Sequence, residues 1–206
     1  MSSTVVPSGA PATTLFEAVL PAAGADALRR RLRDGLVVLG ATLALWLSAK
    51  VSIPIGPVPI SMQTFAVLAI GAALGPRLGA LAVLAYLGQG ALGLPVFAGT
   101  PEKGIGLAYM VGPTGGYLVG FAVAALVVGL LARRGWDRSV VPATAMMLIG
   151  HAVVFAFGLL WLGTVIGWDK PVLEIGFTPF LIGTLAKSLL AAVVLPGAWR
   201  LLGRSR

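Results

Sequence analysis

The chain has no cysteine, which excludes a disulfide framework and a thiolate metal site. It has a single histidine, His151, so no His-Glu metal spacing exists. Acidic residues are scarce, seven against fifteen basic ones, and none falls inside the long apolar runs. That leaves no paired carboxylates for acid–base chemistry and no Ser-His-Asp set within those runs. No Gly-x-x-x-x-Gly-Lys-Ser/Thr string occurs, so no ATPase site lies on this chain and no cofactor is implied. Neither a selectivity filter nor a ring of like charges is present, which argues against an ion channel. No internal repeat is evident.

What is abundant is apolar sequence. Of 206 residues, 58% are hydrophobic and 11% charged, and the mean hydropathy is +0.97. The length fits one domain. Several apolar stretches approach or exceed the roughly 20 residues that span a bilayer. They are continuous rather than alternating, which favours helices over a barrel. The expected fold is an all-α integral membrane protein embedded in the lipid bilayer of a cytoplasmic membrane. A net charge of +8 would suggest nucleic acid in a soluble chain, but the arginines cluster beside the ends of apolar stretches. That is a topology signal, and it argues for no nucleic-acid partner.

Six spans are expected, at about 34–52, 62–75, 77–94, 113–132, 142–166 and 177–200. Gly75-Pro76 joins the second and third tightly, as a hairpin. Six spans put both termini on one side. The segments on that side hold all eleven arginines: Arg29, Arg30, Arg31, Arg33, Arg77, Arg133, Arg134, Arg138, Arg200, Arg204 and Arg206. The positive-inside rule makes that side cytoplasmic. Residues 1–28 read as a mobile tail, with a short surface helix around Phe16 to Leu20, ahead of the transmembrane domain 29–206. The basic stretch and the following apolar run imitate a signal peptide, but the stretch lies late for one.

Chemistry concentrates at the opposite end. Ile53 to Ile60 carries three prolines, is apolar and cannot be a regular helix. Such backbone persists near a membrane where it is buried in protein or lines a cavity. Gln63 follows at the head of the second span. The linker from Gly93 to Gly116 combines glycines and prolines with Phe97, Lys103 and Tyr109, and Tyr117 comes just after it; this suggests a shaped lid. Lys187 is the lone charge between Phe177 and Leu195. An ammonium at bilayer depth costs roughly 2.5–3.5 kcal/mol on insertion scales, so it marks a site more often than a snorkelling side chain. Thr184 lies one turn away on the same face. With Gln63 and Gln89 these groups fit one pocket for a polar ligand with amide-like edges, and Lys103 or Lys187 suits a carboxylate. His151 reads as a packed core histidine rather than a proton relay. Gly40, Ala44 and Ser48 form a small-residue stripe on the first span, open to internal packing or to docking another membrane protein.

The strings Ala49-Lys50-Val51-Ser52-Ile53-Pro54, Pro57 to Val67, Leu74-Gly75-Pro76-Arg77-Leu78-Gly79-Ala80, Gly93 to Gly99 and Gly112 to Tyr117 occur in order, and together they resemble the BioY family. The resemblance implies six helices, a biotin site facing outward, and a role as the substrate-capturing S-component of an energy-coupling factor (ECF) transporter. The partners it implies are biotin, a transmembrane coupling protein and cytoplasmic ATPase subunits. By position it implicates Gln63, Gln89, Lys103, Thr184 and Lys187 in ligand binding, beside the aromatics Phe97, Tyr109 and Tyr117. It also favours docking for Gly40, Ala44 and Ser48. A solitary biotin facilitator and an S-component for another vitamin are the alternatives. The family commonly has Gly-Asp-x-x-Lys in the last span, whereas this chain has Gly183-Thr184-Leu185-Ala186-Lys187. Gln89 and Lys103 likewise stand where another amide and an arginine are expected.

Overall fold

The computed structural model describes residues 14–21, 26–53 and 57–203. Helix α1 spans Leu15–Val19 and α2 spans Ala27–Lys50. Strands β1, Ser52–Ile53, and β2, Ile60–Ser61, pair antiparallel. Then follow α3, Gln63–Ala91, α4, Gly106–Met110, α5, Gly115–Arg133, and α6, Val140–Ile166. The last helices are α7, Val172–Gly176, and α8, Leu181–Leu201. Of the expected segments, Pro54 to Gly56, Arg204, Arg206 and most of the N-terminal tail lie outside the described residues.

Five helical segments are long and apolar enough to cross a membrane. Leu36, Leu39, Leu160, Ile182 and Val193 are exposed, while Gln63, His151, Thr184, Lys187 and Ser188 are buried. Apolar surface outside and polar groups inside fit a protein dissolved in lipid. The structure therefore differs from the expectation of six separate spans. The second and third both fall within α3, whose backbone leaves helical geometry at Gly75, with φ 79° and ψ 178°. Glycine accepts this positive φ without a Cβ clash, and Pro76 begins the next helical run with its missing N–H at no cost. The chain reverses there. Gln63 Nε2 donates to Tyr86 Oη at 2.6 Å, whereas 23 residues of unbroken helix would separate them by about 34 Å. The hairpin reading of Gly75-Pro76 thus matches.

Helix α5 clamps this hairpin. A Cβ on Gly129 would lie 2.5 Å from Pro76 N and 2.6 Å from the Gly75 carbonyl carbon, so only glycine lets α5 approach the turn. At this arginine-bearing end, Asp26 caps α2 by accepting from Arg29 N at 2.8 Å. Part of the expected tail is packed: Leu15 and Phe16 are buried. Arg33 stacks its guanidinium 4.7 Å from the Phe16 ring and donates to Leu20 O at 2.8 Å. Trp199 Nε1 donates to the buried Asp137 at 2.6 Å, tying the end of α8 to the α5–α6 connection.

Candidate ligand-binding site

A cavity lies at the opposite end, between the β1–β2 hairpin, α3, α5, α6 and α8. Its lining includes Val58, Ser61, Gln63, Thr64, Thr184 and Lys187. Tyr117, Phe121, Phe155 and Phe180 wall it, and its empty space is about 480 Å³, counting the open mouth. It is an apolar pocket with a few fixed polar groups, the usual form of a small-molecule site.

The polar groups are placed by backbone geometry. Proline and β-pairing turn the chain after α2, which brings Ser61 to the head of α3. Gln63, the first α3 residue, points inward and is 4% exposed. Its Nε2 donates to Tyr86 Oη, which in turn donates to Val96 O at 2.7 Å. This chain of bonds fixes the amide plane and couples the α3 head to the following loop. Lys187 comes from α8, one turn from Thr184, and both line the cavity. The Lys187 ammonium donates to Ser61 O at 2.7 Å and to Thr64 Oγ1 at 2.9 Å. Among the described residues no carboxylate pairs with it. Two of its three donors are thereby satisfied by neutral oxygens, and the positive charge is left uncompensated for a ligand anion. The aromatic walls pack on each other, Tyr117 and Phe180 stacking at 6.4 Å and Phe155 meeting Phe180 edge-on at 6.0 Å, with Phe177 behind them edge-on to Phe155 at 4.9 Å. Tyr117 Oη donates to Gly176 O at 2.8 Å, which holds α7 over this cluster.

Of the eight residues expected to share one pocket, the structure brings together Gln63, Tyr117, Thr184 and Lys187. The other four lie elsewhere. Gln89 faces α2, its Nε2 donating to Thr42 Oγ1 at 3.2 Å. It follows Tyr86 by three residues on the same limb, yet turns toward a lateral groove with Trp46 and Leu94. Phe97 is fully buried, stacked on Tyr109 at 5.0 Å and edge-on to Tyr86 at 5.5 Å. Tyr109 Oη donates to Ala98 O at 2.8 Å, and burial raises the Tyr109 pKa above the usual phenol value. These two aromatics hold the loop whose Ala98 reaches the cavity. Lys103 belongs to that loop and lies against Gly99.

Sequence reasoning missed Ser61, Thr64 and Thr114 as lining groups. Thr64 adjoins Gln63, and Ser61 closes the proline-rich segment, so their positions held a signal. It also missed Lys50, whose ammonium donates to Pro95 O at 2.8 Å, Thr100 O at 3.0 Å and Thr100 Oγ1 at 3.2 Å. This pins the 93–104 loop to the end of α2. His151 is a packed core histidine, as expected, with Nδ1 2.9 Å from Met147 O and 3.3 Å from Ser188 Oγ. In the small-residue stripe, Gly40 and Ala44 are exposed, and the half-buried Ser48 bonds its own helix at Leu45 O, 2.7 Å.

The BioY family profile matches residues 21–204. A Pyrococcus horikoshii protein named as a probable biotin transporter BioY is 38% identical over 146 residues, 71% of this chain and 83% of its own length. The biotin transporter BioY of Thermotoga maritima is 36% identical over 167 residues, 81% of this chain and 94% of that one. A crystal structure of the S-component for biotin from an ECF-type ABC transporter superposes with a TM-score of 0.71 and 25% identity, covering 85% of this chain and 95% of that chain. The profile match runs from before the start of α2 to beyond the end of α8, and the chain belongs to the BioY family.

Proposed function

We propose that this protein captures biotin for uptake across the cytoplasmic membrane as the S-component of an ECF transporter. The observation that carries this reading is the cavity in which an uncompensated lysine, an ordered glutamine amide and a threonine hydroxyl meet among aromatic walls. Biotin offers a carboxylate for the Lys187 ammonium, a ureido group for Gln63 and Thr184, and an apolar ring and chain for Tyr117, Phe155 and Phe180. Thr184 supplies a hydroxyl where the family commonly has an acid, so the ligand carboxylate becomes the partner of Lys187. The protein binds and hands on its ligand without chemical change, and energy comes from partner ATPase subunits.

In this reading the two limbs of α3 are the second and third of six membrane-embedded helices. The first limb is too short for the roughly 20 residues of a straight crossing. Both termini and all the arginines face the cytoplasm, and the cavity faces outward. Gly40, Ala44 and Ser48 offer a flat surface to the coupling protein, supported by the exposure of Gly40 and Ala44. Phe97, Tyr109 and Lys103 serve the lid loop rather than the ligand.

A biotin titration of the purified protein tests the assignment. Lys187→Ala should weaken binding about 10- to 100-fold, the worth of a charge-assisted hydrogen bond at roughly 1.5–3 kcal/mol. Unchanged affinity in a folded variant would remove Lys187 from the site. Uptake should vanish in cells lacking every coupling subunit.

A further inference from the structure

At the arginine-bearing end a second cavity opens between α1, α2, the Gly75 turn and the end of α5. Its polar lining is Thr14, Glu17, Arg33, Asp34, Arg77 and Arg133, and its empty space is about 750 Å³ including the mouth. Three guanidinium groups from three different elements face two carboxylates, which leaves one positive charge in excess. Arg33 is already committed: Asp34 Oδ1 accepts from its Nη2 at 2.7 Å and from its Nε at 2.9 Å. Arg77 and Arg133 are exposed, and among the described residues neither pairs with an acid. Two forked donors aimed at one space suit a phosphate.

Leu74 lines this cavity and also lines a purely apolar groove that runs between α2 and the first limb of α3. Val37, Ala41, Phe65 and Ala69 form that groove with it, and its empty space is about 810 Å³. From Leu74 to Phe65 the groove covers nine helical residues, about 14 Å. One leaflet of the hydrocarbon core is about 15 Å deep. A charged basin that shares a lining residue with an apolar trough of leaflet depth has the shape of an amphiphile. Free phosphate would use only the basin. Basic pockets between membrane helices are recurrent sites for anionic headgroups.

We propose that this end of the protein holds an anionic phospholipid, with its phosphate between Arg77 and Arg133 and an acyl chain in the groove beyond Leu74. The site is independent of what the ligand cavity holds. Ala44 lines the groove as well as the small-residue stripe, so a chain seated there shares surface with any partner docked on α2.

The test uses the full chain reconstituted in nanodiscs of equal phosphatidylcholine and phosphatidylglycerol, with native mass spectrometry counting the lipids retained on release. The wild type should retain phosphatidylglycerol in preference. R77Q/R133Q should lose that preference, by roughly 5-fold for each arginine. R134Q, which removes a neighbouring charge outside the cavity, should keep it. Equal retention in R77Q/R133Q and wild type would overturn the site. So would loss of preference in R134Q, which would mark general charge rather than this cavity. Binding of millimolar inorganic phosphate by a wild type that retains phosphatidylglycerol no better than phosphatidylcholine would show that the basin alone binds, and would overturn the lipid assignment.

Discussion

Lys50 is the most direct handle on the loop that shapes the ligand cavity. Lys50→Met preserves side-chain length and removes the ammonium that holds Pro95 O, Thr100 O and Thr100 Oγ1 within 3.2 Å. Hydrogen bonds to charged groups contribute roughly 1.5–3 kcal/mol each. That figure must be discounted here, because Lys50 is exposed and the Pro95 carbonyl turns readily to water. Thr100 is only 6% exposed, so its carbonyl loses its partner with little hydration in return. A stranded buried acceptor costs roughly 1–3 kcal/mol, and about 2 kcal/mol is the expected penalty for ordering the 93–104 loop. At 1.4 kcal/mol per decade this is about 30-fold in affinity, appearing mainly as faster ligand release. Hydrogen exchange should report faster opening of amides from 93 to 104, while those of α5 and α6 stay protected. Lys50→Arg should fall between the two, since a planar fork fits three convergent oxygens less well than an ammonium. Loop exchange and biotin affinity both within twofold of wild type in K50M would refute the reasoning.

Gln63→Ala should weaken biotin binding by roughly 10-fold and leave the Tyr86 hydroxyl oxygen without its donor, whereas Gln89→Ala should change affinity less than about 3-fold because its amide faces Thr42; a parallel titration of the two variants separates them, and a larger loss in Q89A would contradict the placement. Burial raises the Asp137 pKa above its ordinary 3.8, with the Trp199 bond and Arg138 offsetting part of the shift. The folded protein then holds that proton to higher pH than the unfolded chain, so the stability it contributes in acid is lost as pH rises through the folded pKa. Asp137→Asn keeps an oxygen for Trp199 Nε1 and removes the buried charge, so its melting temperature in detergent should exceed wild type at neutral pH and converge in acid; a lower value at neutral pH would show that Arg138 outweighs desolvation.

Much of the fold was legible because the bilayer imposes simple rules. Apolar length gave the helical segments to within a few residues at 115–133 and 140–166. Gly75-Pro76 announced a reversal, since few other pairs end one helix and begin the next so abruptly. The separation of α3 from α2 by prolines, and the lone charge of Lys187, pointed to the correct end of the molecule. The positions of Gln89, Phe97 and Tyr109 were not legible. Being near the loops in sequence does not say which way a side chain turns: Tyr86 and Gln89 lie one turn apart on α3, yet the Tyr86 ring is buried and the Gln89 amide reaches Thr42 on α2.

The sequence by itself determined that the chain is helical, lives in lipid, carries its arginines beside the ends of apolar stretches and has one lysine within an apolar run, because hydropathy and charge are properties of composition and order along the chain. Tertiary structure alone decided which groups meet. Ser61 and Thr64 reach Lys187 across more than a hundred residues, Lys50 captures a loop about fifty residues later, and Arg77 faces Arg133 across a turn. Such contacts depend on helix rotation and on how closely α5 approaches the Gly75 turn, and packing sets both.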